Sequence, residues 1–196
     1  MVLKQFGGIE NFSLKEIPEP KISNGQVLIR VKAIGINPVD IKTRNAKGQA
    51  QQYKDAPAMI IGWDVAGVIT KIAEDVKDFS VGDEVFGTIN FPGQGGAYAE
   101  YAVAPAHQLA HKPANISRAG AAAATLATLT AWQALIDQGH IKKGDRVLIH
   151  GGAGGVGNYA IQIARDMGCY VITTASASDA DFVRSLGADE VIDYKT

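Results

Sequence analysis

Residues 151–157 read Gly-Gly-Ala-Gly-Gly-Val-Gly, and no other stretch restricts the fold as strongly. The apolar run Arg146-Val147-Leu148-Ile149-His150 leads directly in, and a helix-forming run from Asn158 to Met167 leads out to a stop at Gly168. Gly152, Gly154 and Gly157 carry the G-x-G-x-x-G spacing, a weak signal alone that gains weight between a strand and a helix. In that setting the first glycine permits a tight turn, and the second lets backbone N–H groups approach a pyrophosphate. The third lets the helix pack on the strand, and the helix N-terminus faces the phosphates. Ala153, Gly155 and Val156 complete the cradle. A plain glycine-rich turn is the competing interpretation; the surrounding βαβ pattern favours dinucleotide binding.

That pattern continues downstream as a strand at Tyr170–Thr174, a helix around Ala180–Leu186 and a strand at Glu190–Tyr194. Short links between such elements imply a parallel sheet, hence an α/β fold. Upstream, Ser117 is placed to cap an alanine-rich helix that Gly139 closes. Its apolar part, Ala119 to Ile136, is interrupted by Gly120 and Gln133 and reads as a packed helix, not a membrane span. Earlier residues have a different grammar. Strands are expected at Gln26–Ala33, at Asp64–Ile72 with Gly67 at a bulge or close approach, after the Gly82-Asp83 turn, and at Gly96–Val103. Short strands punctuated by Gly and Pro suggest a small barrel.

A net charge of -1 gives no reason to expect a nucleic-acid or membrane-surface partner. The one cysteine, Cys169, lies in an apolar run and reads as a buried hydrophobe. With no internal disulfide possible and an N-terminus too short and polar for a signal peptide, a cytoplasmic location is expected. One Cys and four scattered His form no recognisable zinc set, and His150 is expected to be a packed neighbour of the glycine turn.

The second parallel strand decides which dinucleotide fits. NAD-type sites place an acid at its end to bond the ribose 2′-hydroxyl. Here the chain runs Thr174-Ala175-Ser176-Ala177-Ser178, with no acid until Asp179. Ser176, Ser178 and Tyr194 are candidates to hold a 2′-phosphate, so NADP(H) is the expected cofactor. Against this, no Arg or Lys sits in that loop, and the two serines are equally suited to capping the next helix.

Several runs together resemble the medium-chain dehydrogenase/reductase superfamily along the entire chain. They are Ile36-Asn37-Pro38-Val39-Asp40, Gly62-Trp63-Asp64-Val65-Ala66-Gly67, Val81-Gly82-Asp83-Glu84-Val85, Leu129-Thr130-Ala131-Trp132 and Leu186-Gly187-Ala188-Asp189. The resemblance implies a GroES-like β-barrel substrate domain over residues 1–115 and the first half of a Rossmann domain, a doubly wound parallel sheet, over residues 116–196. Zinc-dependent members place a Cys near Asn37 and Gly-His-Glu near Gly62. This chain has Asn37 and Gly62-Trp63-Asp64 there, and lacks the structural-zinc cysteines. It looks most like the metal-free quinone oxidoreductase, or ζ-crystallin-like, group and its enone reductases with Asn-Pro-Val-Asp-x-Lys. Bacterial quinone reductases of the group often have Tyr where Lys42 stands, so Lys42 becomes the alternative to a tyrosine acid.

That resemblance implies NADPH-dependent hydride transfer to a small quinone or α,β-unsaturated carbonyl. Asn37 would hydrogen-bond the nicotinamide ribose or the substrate carbonyl, and Lys42 would stabilise negative charge. Asp40 and Asp64 would fix their loop, and Thr130 would lie near the nicotinamide. The bland alternatives are a turn shaped and capped by Asn37, Pro38 and Asp40, a solvated Lys42 and a core Thr130. Only 39 residues follow Gly157, so a C-terminally truncated member is expected, homo-oligomeric when full length. A non-catalytic nucleotide-binding protein and a zinc-free alcohol dehydrogenase remain as alternatives.

Overall fold

The structure, a computed structural model, describes residues 1–56 and 58–196. The chain forms β1 (Val2–Leu3), β2 (Phe12–Ser13), β3 (Gln26–Gly35), α1 (Pro38–Arg44), β4 (Asp64–Ile72), β5 (Glu84–Thr88), β6 (Tyr101–Pro105) and β7 (Ala110–His111). Then follow α2 (Arg118–Trp132), β8 (Arg146–Ile149), α3 (Gly155–Asp166), β9 (Tyr170–Ala175), α4 (Ala180–Ser185) and β10 (Glu190–Asp193). Two compact units result, Met1–Leu126 and Ala127–Thr196.

The first unit is built on a five-stranded antiparallel sheet in the order β6-β3-β4-β5-β7. Alternation along β3 and β4 sends Val27, Ile29, Val65 and Ile69 into one core with Val85 and Ile89. Gly67 marks both a bulge and a close approach. The β3–β4 register shifts between Val31 and Ala33, and a Cβ on Gly67 would lie 2.3 Å from the Arg30 carbonyl oxygen. The strand expected at Gly96–Val103 starts only at Tyr101. The preceding N–H groups of Gly96, Ala97 and Tyr98 instead donate to the carbonyls of Ile60, Gly62 and Ile61.

Ser117 caps α2 as expected, its hydroxyl accepting the Gly120 N–H at 3.0 Å. The compact units divide inside this helix, not at residue 115, because Ala121 and Ala122 bury against Ala66 with Phe86 and Ile116 alongside. The span Arg118–Gln138 is long and apolar enough by composition to cross a membrane. Ala121, Ala122 and Ala131 are packed, whereas Leu129 and Trp132 are each 46% exposed.

In the second unit β10, β9 and β8 form a parallel sheet in that order. Gly157, Ala160, Ile161 and Ala164 recur at helical spacing and form the buried face of α3. Ile161 and Ala164 pack with Val171, Val183 and the buried Cys169. His150 departs from expectation: it follows the last residue of β8 at the strand's open end and is exposed, not packed.

Candidate active site

In the first unit the sequence Ile36-Asn37-Pro38-Val39-Asp40 ends β3 and begins α1. Proline at the first helical position costs no hydrogen bond, and Asn37 takes the capping position. The Asn37 backbone N–H donates to Asp40 Oδ2 at 2.6 Å, while its side-chain Nδ2 donates to Asp64 Oδ2 at 2.7 Å. One asparagine is thus held between two carboxylates. Both acids are buried, Asp40 at 2% exposure and Asp64 at 1%.

Asp64 is well compensated. Its carboxylate also accepts the Thr88 hydroxyl at 2.7 Å and the Leu126 backbone N–H at 3.2 Å. Asp40 is less so. Its Oδ1 has no hydrogen-bond partner of ordinary geometry among the described residues, although the Tyr98 hydroxyl lies close enough to influence it. Burial, reinforced by the nearby Asp64 charge, pushes the Asp40 carboxyl up to about 6. The same surroundings push the Tyr98 hydroxyl well above the usual range.

Lys42 is not brought into this group. It is exposed on α1, and its ammonium makes no hydrogen bond or ion pair among the described residues. Thr130 is exposed on α2 and is not the core threonine considered as its alternative. Thr88 was invisible to motif reasoning, since nothing in Phe86-Gly87-Thr88 distinguishes it; only the pairing of Thr88 with Asp64 across β4 and β5 brings it to the carboxylate.

In the second unit the glycine turn divides into packed and open positions. A Cβ on Gly157 would lie 2.2 Å from the Gly151 carbonyl oxygen and 2.8 Å from Gly152 Cα, so the helix touches the turn there. Gly152 is also packed, with Thr173 Oγ1 only 2.2 Å from such a Cβ. The left-handed conformation that makes the turn belongs to Gly151, at φ 66°, and not to Gly152. Beside Gly155 there is nothing within 4 Å, and beside Gly154 only the Gly151 oxygen at 3.1 Å. That open side adjoins the first turn of α3, whose N–H groups have no acceptor within the helix. A pyrophosphate fits this cradle, and an added side chain would fill it.

At the end of β9 the Ser176 hydroxyl is buried and donates to Asp179 Oδ2 at 2.5 Å. Its one proton is therefore committed, which corrects the expectation that Ser176 donates to a 2′-phosphate. Ser178 Oγ lies 2.8 Å from Ser176 Oγ and must be the donor of that pair. Tyr194 is 63% exposed just past β10, and the Lys195 ammonium lies 6.0 Å from its ring centroid.

The zinc-ligand positions hold groups unsuited to a metal. Trp63 is fully buried, its indole N–H donates to the Gly93 carbonyl at 3.0 Å, and it stacks edge-on against Tyr53 and Phe91. Asn37 uses its amide on Asp64. An indole cannot ligate zinc, and an amide nitrogen is a poor donor to it.

Comparison with known proteins agrees with this anatomy. The family described as alcohol dehydrogenase GroES-like domain matches residues 23–114, and the one described as zinc-binding dehydrogenase matches residues 155–196. An NADPH-dependent alkenal/one oxidoreductase of Arabidopsis thaliana chloroplasts is 41% identical over 98% of this chain and 51% of its own length. The quinone oxidoreductase of Coxiella burnetii superposes with a TM-score of 0.89 at 41% identity, covering 97% of this chain and 60% of that one. A mycobacterial protein complexed with NADPH gives a TM-score of 0.82 at 36% identity, covering 98% and 57%. The chain thus spans about half the length of the curated relatives it matches.

Proposed function

Since the chain belongs to the medium-chain dehydrogenase/reductase superfamily, we propose that it serves a zinc-independent, NADPH-dependent oxidoreductase acting on a small quinone or α,β-unsaturated carbonyl. One observation carries the proposal: the open cradle at Gly154 and Gly155, bounded by the packed glycines Gly152 and Gly157 at the start of α3. Such a cradle suits the pyrophosphate of a dinucleotide.

When bound, the nicotinamide supplies a hydride, two electrons and one proton, to an electron-poor carbon; a second proton completes the reduction. The chain's own residues hold and polarise. Gly155 and Val156, in the first turn of α3, present backbone N–H groups to phosphate, while the Gly154 N–H donates to the Gly151 carbonyl. Tyr194 and Lys195, with Ser178 after rotation, recognise a 2′-phosphate. Asp64 fixes Asn37 through one amide proton and leaves the second for a carbonyl or a ribose oxygen. An electron-poor alkene or quinone needs less help than an alcohol, for which a metal normally polarises the oxygen. That difference favours enone or quinone reduction over zinc-free alcohol oxidation, and the metal-unfit Trp63 and Asn37 support it.

Calorimetric titration with NADPH, followed by NADPH consumption with a short 2-alkenal or a quinone, tests the proposal. Binding that Gly154→Val weakens about tenfold or more, with alkenal- or quinone-dependent consumption, is the expected result. Unchanged NADPH affinity in Gly154→Val would remove the site from the glycine turn. A second reading, nucleotide binding without turnover, draws on the solvated Lys42, which leaves Asn37 with no cationic partner. NADPH binding without consumption would favour it.

A further inference from the structure

Asn158 is the fourth residue of α3, and its side chain bonds backward onto the glycine turn. The amide Nδ2 donates to the Gly154 carbonyl at 3.0 Å and to the Gly155 carbonyl at 2.9 Å. Both partners are carbonyl oxygens, which only accept, so the nitrogen of the amide and not its oxygen faces the turn. For the helix itself these bonds are surplus. The Gly154 carbonyl already accepts the Asn158 backbone N–H at 3.0 Å, and asparagine is a poorer helix former than alanine.

The two carbonyls matter through the other end of their peptide units. The Gly154 carbonyl shares a rigid plane with the Gly155 N–H, and the Gly155 carbonyl shares one with the Val156 N–H. Those are the N–H groups that the first turn of α3 presents to phosphate. Holding each oxygen fixes the direction in which the opposite N–H points. It also draws electron density toward the oxygen, which makes the N–H a stronger donor. Packing does not hold these peptides from outside, since a Cβ on Gly155 would meet no atom within 4 Å.

We propose that Asn158 is a positioning residue for the dinucleotide pyrophosphate: its amide braces the Gly154–Gly155 and Gly155–Val156 peptide units so that their N–H groups meet the phosphate oxygens already aligned. Bracing favours binding because the peptides are ordered before the cofactor arrives. The inference rests on the cofactor site assigned above to the glycine turn, and adds to it a side chain that acts through the backbone.

The test is calorimetric titration of the 196-residue chain with NADPH, paired with thermal melts of the nucleotide-free protein. The variants are Asn158→Ala, Asn158→Ser and Asn158→Asp, with Gly154→Val beside them. Asn158→Ala should bind NADPH about fivefold to tenfold more weakly. Its melting temperature should stay within about 2 °C of wild type or rise, since alanine favours the helix. An asparagine with a merely structural role would move both together. Asn158→Ser returns one donor to the preceding turn and should leave a loss of only about twofold. Asn158→Asp is nearly isosteric but returns no donor and brings a negative charge near the phosphate, so it should lose more than Asn158→Ala. Unchanged affinity in Asn158→Ala, while Gly154→Val binds weakly, would overturn the role of Asn158 and leave the cofactor site standing. So would a weaker Asn158→Ala that also melts well below wild type. Unchanged affinity in both variants would remove the cofactor from the turn, and the brace with it.

Discussion

The Thr88 hydroxyl and the Asn37 amide approach the Asp64 carboxylate from two different elements, each at 2.7 Å, one on Oδ1 and the other on Oδ2. A buried charge is tolerable only when its lone pairs are met, and here the Leu126 N–H adds a third bond. The carboxylate ties the start of α1 to β5 and to α2, so the position of Asn37 is set by packing and not by the loop alone.

Removing the carboxylate should therefore be expensive. Asp64→Ala strands the donors of Asn37, Thr88 and Leu126 in a buried space and should cost about 3–5 kcal/mol. Thr88→Val removes a single donor and should cost about 1–2 kcal/mol, while Thr88→Ser should restore most of it. Denaturant unfolding of the three variants checks the order. Equal stability of Asp64→Ala and wild type would mean that the network contributes nothing.

Asp40 predicts a pH dependence of the opposite sense to most carboxylates. Burial foremost, then the Asp64 charge, raises it from 3.8 to about 6, against the lowering effect of the Asn37 N–H bond. The folded state thus holds the proton more tightly than the unfolded chain. Its contribution to stability is fully present below about 3.8 and is lost as pH rises through about 6. Asp64, Tyr98, Tyr53 and Arg44 are the titratable groups that face it or its neighbours. Asp40→Asn keeps an acceptor for the Asn37 N–H and removes the charge. At pH 8 it should be more stable than wild type by up to about 3 kcal/mol, an advantage that vanishes by pH 3.5. Unfolding curves at the two pH values read the difference; an advantage independent of pH would place its origin elsewhere.

Much of this architecture is legible in the sequence because it rests on local rules. The G-x-G-x-x-G turn, the Ser117 cap and the 157, 160, 161, 164 stripe each follow from a few neighbouring residues. The misplaced features depend on contacts distant in sequence. The Gly96–Tyr98 backbone pairs with residues 60–62 instead of extending β6. The bond from Ser176 to Asp179 depends on the chain turning through Ala177 and Ser178, which neither the phosphate-binding nor the helix-capping expectation contains. Thr88 has no sequence signature, because only strand register brings it to Asp64.

The glycines of the turn should separate into two phenotypes. Gly154 has φ -75° and ψ 169°, a conformation open to any residue, and meets only one atom where its Cβ would stand. Gly154→Val should fold normally and weaken NADPH binding by about tenfold or more, about 1.4 kcal/mol. Gly157→Ala drives a methyl into the backbone of Gly151 and Gly152 and should cost about 1–3 kcal/mol of stability, or more. Thermal melts and calorimetry on the same samples distinguish the two. A Gly157→Ala protein as stable as wild type would contradict the helix–turn contact.

On the function proposed above, the preference for NADPH over NADH rests on the residues after β10, since Ser176 donates to Asp179. What remains for a 2′-phosphate is the exposed Tyr194 hydroxyl, the neighbouring Lys195 ammonium and the rotatable Ser178. An exposed cation opposite a phosphate contributes about 1 kcal/mol, close to fivefold in affinity. Lys195→Met should therefore lower NADPH affinity about fivefold and leave NADH unchanged, since NADH presents only a hydroxyl there. Tyr194→Phe should act in the same direction by removing one donor. Raising ionic strength should shrink the Lys195 effect and spare the Tyr194 effect, because screening acts on exposed charges and not on a neutral hydroxyl. The measurement is a set of NADPH and NADH titrations of the wild type and both variants at low and high salt. Equal losses for the two nucleotides would move the determinant of preference away from β10 and back to the loop after β9.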